Sequence, residues 1–305
     1  MPKRLEYGST WGRFAKEEEN SIDALFLGSS IAYCNVIPSE IWNEAGVSSY
    51  VLAGSEQTIP ISYYYLRQAS KTQSPRLVFL EVTGVFFQQY QDYTKVNIGY
   101  MPRGIDRLSA TLFAAEPAER MGLFFPLYNY HSRILSLEES DIEIAFYGYP
   151  ADDLAGYTFL EQAANMDSPC LRGEVLDREN YDKNLKFLGK IAEFCDEQGI
   201  LPVFYIAPTY WRLSDEHAQM LEEDVEKLPN VQFFDFNKAK DLPYLDPEKD
   251  WFDLLHFNYR GAEKFSAYLG KLMINELQVS PSREADSGLW NLRYEKYQEL
   301  KSTAG

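Results

Sequence analysis

Ala24-Leu25-Phe26-Leu27-Gly28-Ser29-Ser30-Ile31 runs four apolar residues straight into a glycine and two hydroxyls. A short apolar run bounded by a turn residue reads as a buried strand. Whether the chain then repeats strand and helix in alternation decides the fold, because alternation is the mark of a parallel sheet with crossover helices. It does repeat. Runs rich in β-branched and aromatic side chains recur at Ser48 to Leu52, Leu77 to Val82, Leu201 to Ile206 and Val231 to Phe236. Helical spacing lies between them at Ser39 to Ala45, Pro60 to Lys71, Asn180 to Gln198, Ser214 to Leu228 and Gly261 to Leu277. In the third of these, Tyr181, Leu185, Leu188, Ile191, Ala192 and Cys195 recur every three or four residues, and Gly199 stands where a helix C-terminus favours glycine. The expected fold is α/β: a three-layer, doubly wound parallel sheet of five strands with helices on both faces. Such sheets place their sites beyond the C-terminal ends of the strands.

The alternation breaks between residues 84 and 175. That stretch carries Phe86, Phe87, Tyr90, Tyr93, Tyr100, Phe124, Phe125, Tyr128, Tyr130, Tyr147 and Tyr149 without a clean strand. It reads as a long aromatic insertion after the third strand. The expected division is an α/β domain over 20–278 holding the insertion at 84–175, then 279–305 as a polar linker and one more amphipathic helix with Trp290, Leu292, Tyr294 and Tyr297.

With 305 residues, 45% hydrophobic and 25% charged, the chain lies in the ordinary globular range and can bury a full core. Lys and Arg number 29 against 46 Asp and Glu, a formal net charge of -17. So acidic a surface is expected to repel phosphodiester backbones and anionic lipid headgroups alike, which disfavours nucleic-acid partners, and no run of Lys and Arg offsets it. Cys34, Cys170 and Cys195 form neither a CxxC pair nor an even set, so no disulfide framework or metal site is signalled and buried thiols are expected. No stretch approaches the ~18 to 20 apolar residues of a membrane span, and the charged first twenty residues are unlike a signal peptide, so the chain is expected to be soluble on its own. No cofactor is signalled: neither GxGxxG nor GxxxxGK[ST] is present.

Two places can carry chemistry. Ser29 and Ser30 sit on the turn after the first strand, where a parallel sheet exposes its site; the plain alternative is that they cap the next helix. Near the other end, Trp251-Phe252-Asp253-Leu254-Leu255-His256-Phe257-Asn258 sets an aspartate three residues before one of only three histidines. A carboxylate at that spacing can receive the imidazole Nδ1–H, which fixes the tautomer and leaves Nε2 as a general base. DxxH alone arises by chance; the serine on the same expected rim gives it meaning. Tyr128-Asn129-Tyr130-His131-Ser132-Arg133 combines stacking surfaces with donors suited to a sugar ring or a phosphate, or else forms the insertion's own core. Ala207-Pro208-Thr209-Tyr210-Trp211 follows the fourth strand and either walls the pocket or packs.

Gly28-Ser29-Ser30-Ile31 near one end with Asp253-Leu254-Leu255-His256 near the other resembles the SGNH (GDSL-like) hydrolase superfamily. There the serine follows the first strand of a flavodoxin-like sheet and a DxxH closes the domain. The resemblance implies Ser30 as nucleophile, His256 as base and Asp253 as its orienter, with Ser29 where that family usually has aspartate. It also implies an oxyanion hole from the backbone N–H groups of Ser30 and of Gly54, in Leu52-Ala53-Gly54-Ser55. The third block departs: Leu80-Glu81-Val82-Thr83-Gly84 replaces Gly-x-Asn-Asp. One oxyanion donor is worth about a hundredfold in rate, so Thr83 or Gln57 would have to stand in, and both join Tyr130 and Arg133 as substrate-binding candidates.

The implied activity is a serine esterase or O-acyltransferase acting on acyl esters, with O-acylated cell-envelope saccharide as the substrate class. The implied setting is extracytoplasmic or membrane-anchored in a bacterium, through an N-terminal anchor absent from this chain. A binding protein that kept the fold and lost efficient catalysis is the rival. A flavodoxin-like nucleotide or flavin binder is a third reading, resting on fold analogy alone.

Overall fold

The computed structural model describes residues 11–87, 91–125, 139–171, 176–282 and 286–304. A short helix, α1 (Trp11–Phe14), leads into β1 (Ala24–Leu27), α2 (Ser30–Asn35), α3 (Pro38–Ala45), β2 (Ser49–Val51), α4 (Ile59–Ala69) and β3 (Leu77–Glu81). A 3₁₀ turn at Thr83–Phe86 follows, then helices α5 (Gln91–Tyr100), α6 (Ile105–Phe113), α7 (Pro117–Phe124) and α8 (Glu139–Tyr147). The chain continues through β4 (Cys170–Leu171), α9 (Arg178–Gln198), β5 (Leu201–Ile206), β6 (Trp211–Arg212), α10 (Asp215–Val225), β7 (Gln232–Asp235), α11 (Tyr259–Asn275) and α12 (Ser287–Thr303).

Five strands form one all-parallel sheet in the order β2-β1-β3-β5-β7. The central strands are apolar apart from Glu81 at the end of β3, because both faces are covered. Alternate residues go to opposite sides. Leu25, Leu27, Val78, Leu80, Phe204 and Ile206 join one core with residues of α4, α9 and α10. Ala24, Phe26, Leu77, Phe79, Val203 and Tyr205 join the other with residues of α2, α3 and α11. Three layers result, and strand order reverses between β1 and β3, which opens a crevice at their C-terminal ends.

All five expected strands and all five expected helices are present, with ends moved by a few residues. Helix α9 is capped as its sequence suggests: Asp177 accepts from the N–H groups of Glu179 and Asn180, and Gly199 ends the helix at φ +68°. The stretch 84–175 is richer than its pattern suggested. It holds four helices among the described residues, and its two-residue strand β4 pairs with β6, a ladder too short to leave a periodic signal. In α12, Trp290, Arg293 and Tyr297 are buried while Leu292 faces out. The expectation of three buried thiols needs one correction: Cys34 and Cys195 are buried, but Cys170 lies on the exposed strand β4.

Candidate active site

The site starts from a backbone constraint. At Gly28 φ is +146°, a conformation that L side chains rarely adopt, and a Cβ there would lie 3.0 Å from that of Glu81 and 3.3 Å from that of Ala32. Glycine therefore lets β1 turn sharply against β3. Ser29 takes the N-cap position of α2, but its buried hydroxyl makes no capping hydrogen bond and has no partner. Ser30 is the first residue of α2, so its N–H has no acceptor within the helix.

Ser30 Oγ lies 2.8 Å from His256 Nε2. On the other side of the ring, Nδ1 lies 2.9 Å from Asp253 Oδ1 and 2.8 Å from Oδ2. With Nδ1–H donated to the carboxylate, Nε2 of the neutral ring accepts the serine hydroxyl proton. Asp253 also accepts the backbone N–H groups of Leu255 at 2.8 Å and His256 at 2.9 Å, so it shapes the turn that carries the ring. Burial raises the carboxyl's pKa, but the hydrogen bond and charge of His256 and these two N–H groups outweigh it and hold Asp253 below its ordinary range. The residues are not sealed from water: the His256 side chain is 16% exposed and that of Asp253 46%.

Loop 251–257 is held from three directions. Trp251 and Phe257 form an antiparallel bridge, and Phe252 N–H donates to the His256 carbonyl at 2.9 Å, which closes the loop on itself. Leu254 O accepts the N–H groups of Tyr210 and Trp211 at 2.9 and 3.0 Å, and the Tyr210 ring meets Trp251 edge-on at 4.7 Å. The aromatic pair after β5 thus secures this loop. Asn35, fully buried at the end of α2, donates from Nδ2 to Leu255 O at 3.3 Å and accepts the Phe257 N–H on Oδ1 at 2.8 Å. The sequence reading missed Asn35, because a single Asn at the end of a short helix has no spacing to mark it.

The oxyanion side is less complete. Gly54 lies beyond β2, beside β1 on the same rim. A Cβ there would meet Asn97 Oδ1 at 2.2 Å, and Asn97 Nδ2 donates to Ser55 O at 3.1 Å, so a residue of α5 braces this loop. Tyr33 of α2 and Ser55 hydrogen-bond through their hydroxyls at 2.9 Å. Neither residue suggested as a replacement donor is aimed outward. Thr83 Oγ1 donates to Glu81 Oε2 at 2.9 Å and its N–H to Oε1 at 3.2 Å, while Gln57 Nε2 donates to Ser62 Oγ at 3.0 Å inside the core. Tyr128, Tyr130, His131 and Arg133 lie outside the described residues. No group of three or more His, Cys, Asp or Glu among the described residues is arranged to hold a metal ion.

The arrangement supplies a hydroxyl, a base that can take its proton, and a carboxylate that orients the base and balances the charge it would acquire. That combination suits nucleophilic attack on an electrophilic carbon. Compared with known proteins, the sequence matches no family model and no curated protein.

Proposed function

We propose that this chain is a serine esterase or O-acyltransferase of the SGNH (GDSL-like) hydrolase type, working through an acyl-Ser30 intermediate. One observation carries the reading: the unbroken line of hydrogen bonds from Ser30 through His256 to Asp253, between residues 226 apart in the chain. Ser30 Oγ attacks the ester carbonyl as His256 Nε2 takes its proton; Asp253 stabilises the imidazolium; the N–H groups of Ser30 and Gly54 receive the developing oxyanion. His256 then returns the proton to the departing alcohol. Water resolves the acyl-enzyme in hydrolysis and an acceptor hydroxyl in transfer. In this reading 84–175 is an insertion that walls the substrate side, and O-acylated saccharide is the substrate class.

The test is mass spectrometry after incubation with a panel of acyl esters. A mass increase on the peptide holding Ser30, absent in Ser30→Ala, is expected. A second reading, a saccharide-binding protein with the fold but without efficient turnover, draws support from the commitment of Thr83 to Glu81 where an amide donor would stand. An active-site-directed phosphonate separates the two, since it labels an activated serine and spares an inert one.

A further inference from the structure

Helix α5 buries an amide on its apolar side. Ile98 of this helix and Met101 just past its end belong to the core, and Asn97 beside them is only 1% exposed. So enclosed a polar group costs free energy unless its atoms are hydrogen-bonded. Half of the Asn97 amide is: Nδ2 donates to Ser55 O at 3.1 Å. Oδ1 has no hydrogen-bond partner among the described residues and lies against Gly54, where it takes the space that a Cβ would need. The backbone at Asn97 is fixed in turn by Tyr65 of α4, whose hydroxyl donates to the Asn97 carbonyl at 2.8 Å.

The loop that Asn97 grips has little to hold it from within. Gln57 N–H donates to the Gly54 carbonyl at 3.1 Å and closes a turn over residues 54–57. The central peptide of such a turn, here the Ser55 carbonyl with the Glu56 N–H, makes no bond inside the turn, and its two orientations distinguish the two common turn types. Glu56 sits at φ +47°, a left-handed position that glycine or asparagine usually fills. The orientation therefore needs support from outside, and the Asn97 amide holds the carbonyl of that same peptide. From the other side the Ser55 hydroxyl bonds at 2.9 Å with that of Tyr33, on the helix that begins at Ser30. Gly54 has no left-handed φ to explain it, so the closeness of Asn97 is what demands glycine there.

We propose that Asn97 is a positioning residue for acyl transfer: by holding Ser55 O and filling the space beside Gly54, it fixes the direction of the Gly54 N–H. The proposal rests on the acyl-Ser30 reading, in which that N–H is one of two donors to the developing oxyanion. A hydrogen bond weakens steeply as its angle closes, so the orientation of a donor peptide matters as much as its distance. The bond is made to charge that develops only in the transition state, so losing its alignment lowers kcat and leaves substrate affinity nearly alone. No nearby side chain makes up the difference, because the Thr83 hydroxyl is given to Glu81 and the Gln57 amide to Ser62. Helix α5, from the stretch after β3, thus completes a site whose nucleophile and base come from the two ends of the sheet domain.

Steady-state hydrolysis of p-nitrophenyl acetate and the rate of fluorophosphonate labelling at Ser30 test it, both taken per folded molecule, with thermal midpoints alongside. Asn97→Ala should lower kcat and the labelling rate about 10- to 100-fold, with KM within about twofold. Asn97→Asp keeps the shape but loses the donor to Ser55 O, so it should lose at least as much. Gly54→Ala should lower the midpoint because its methyl has no room, and adding Asn97→Ala should raise the midpoint again while kcat stays at least tenfold down. Recovery of kcat together with the midpoint in that double variant would reduce Asn97 to a space-filling role and overturn the proposal. So would Asn97→Asp turning over as the unaltered chain does, or Asn97→Ala retaining kcat within twofold in a chain that is active. An unaltered chain that neither hydrolyses the ester nor labels at Ser30 would instead overturn the acyl-Ser30 reading, and this proposal with it.

Discussion

Asn35 accepts the Phe257 backbone N–H on Oδ1 at 2.8 Å and so ties the last turn of α2 to the residue after His256. The same six-residue helix begins with Ser30. The hydroxyl and the loop that carries the base are therefore referenced to one short rigid element, which sets their separation better than two independent loops could. Replacing Asn35 by Ala leaves Phe257 N–H and Leu255 O without this partner, at a cost of about 1–3 kcal/mol in stability. If Asn35 is a positioning residue, kcat should fall about 10- to 100-fold with KM little changed. Asn35→Asp keeps an acceptor for Phe257 N–H and should recover part of that loss. Parallel losses in kcat and in the folded fraction, without partial recovery in Asn35→Asp, would reduce Asn35 to a packing role.

Ser30, not Ser29, is the expected nucleophile, since Ser30 Oγ is the atom 2.8 Å from His256 Nε2 and the Ser29 hydroxyl is buried and unpartnered. Ser30→Ala and His256→Ala should each lower kcat by roughly 10⁴-fold or more, and the double variant should lose little beyond either one. Additive losses in log rate would mean that the two do not share a proton-transfer step. Ser29→Ala should retain turnover.

Gly28→Ala is expected to destabilise the chain by about 1–3 kcal/mol, because φ +146° is strained for alanine and its methyl would press on the side chains of Glu81 and Ala32. Turnover should fall further than stability, since the displaced turn carries Ser30. Chemical denaturation and steady-state kinetics on one preparation compare the two.

Asp253 is held below its ordinary 3.8 in the folded chain, so folding favours its ionised form. Its contribution is complete above the unfolded-state value of about 3.9 and is lost as pH falls through the lower folded value. The unaltered chain should therefore lose stability more steeply than Asp253→Asn between about pH 5 and pH 2.5. Urea midpoints across that window provide the measurement, and identical slopes would contradict the assignment.

Iodoacetamide at mildly alkaline pH should label Cys170 alone in the native chain. Burial, with the charge of Asp253, pushes the Cys34 thiol up, and burial takes Cys195 up to about 12, so neither forms the reactive thiolate. Modified peptides counted by mass spectrometry report the outcome; native labelling of Cys34 would mean that the α2 region opens.

The sheet was legible because its strands are short runs of four to six mostly apolar, β-branched or aromatic residues bounded by turn residues, and its helices carry three-and-four spacing. Local chemistry also placed Ser30 on a turn and Asp253 one turn before His256, because both arrangements involve near neighbours in the chain. What sequence by itself determined was thus the elements and their alternation, with two candidate half-sites. Tertiary structure alone decided that Ser30 Oγ meets His256 Nε2, since that contact depends on how α2 and the 251–257 loop dock beyond the ends of the strands. It also decided the parts with no local signature: the clamp from Asn35, the brace from Asn97, and the apolar outward face of α6 and α7. Each is a contact between distant segments, or the absence of one. Spacing along a chain records which side of a helix is apolar, and only packing decides whether that side is covered.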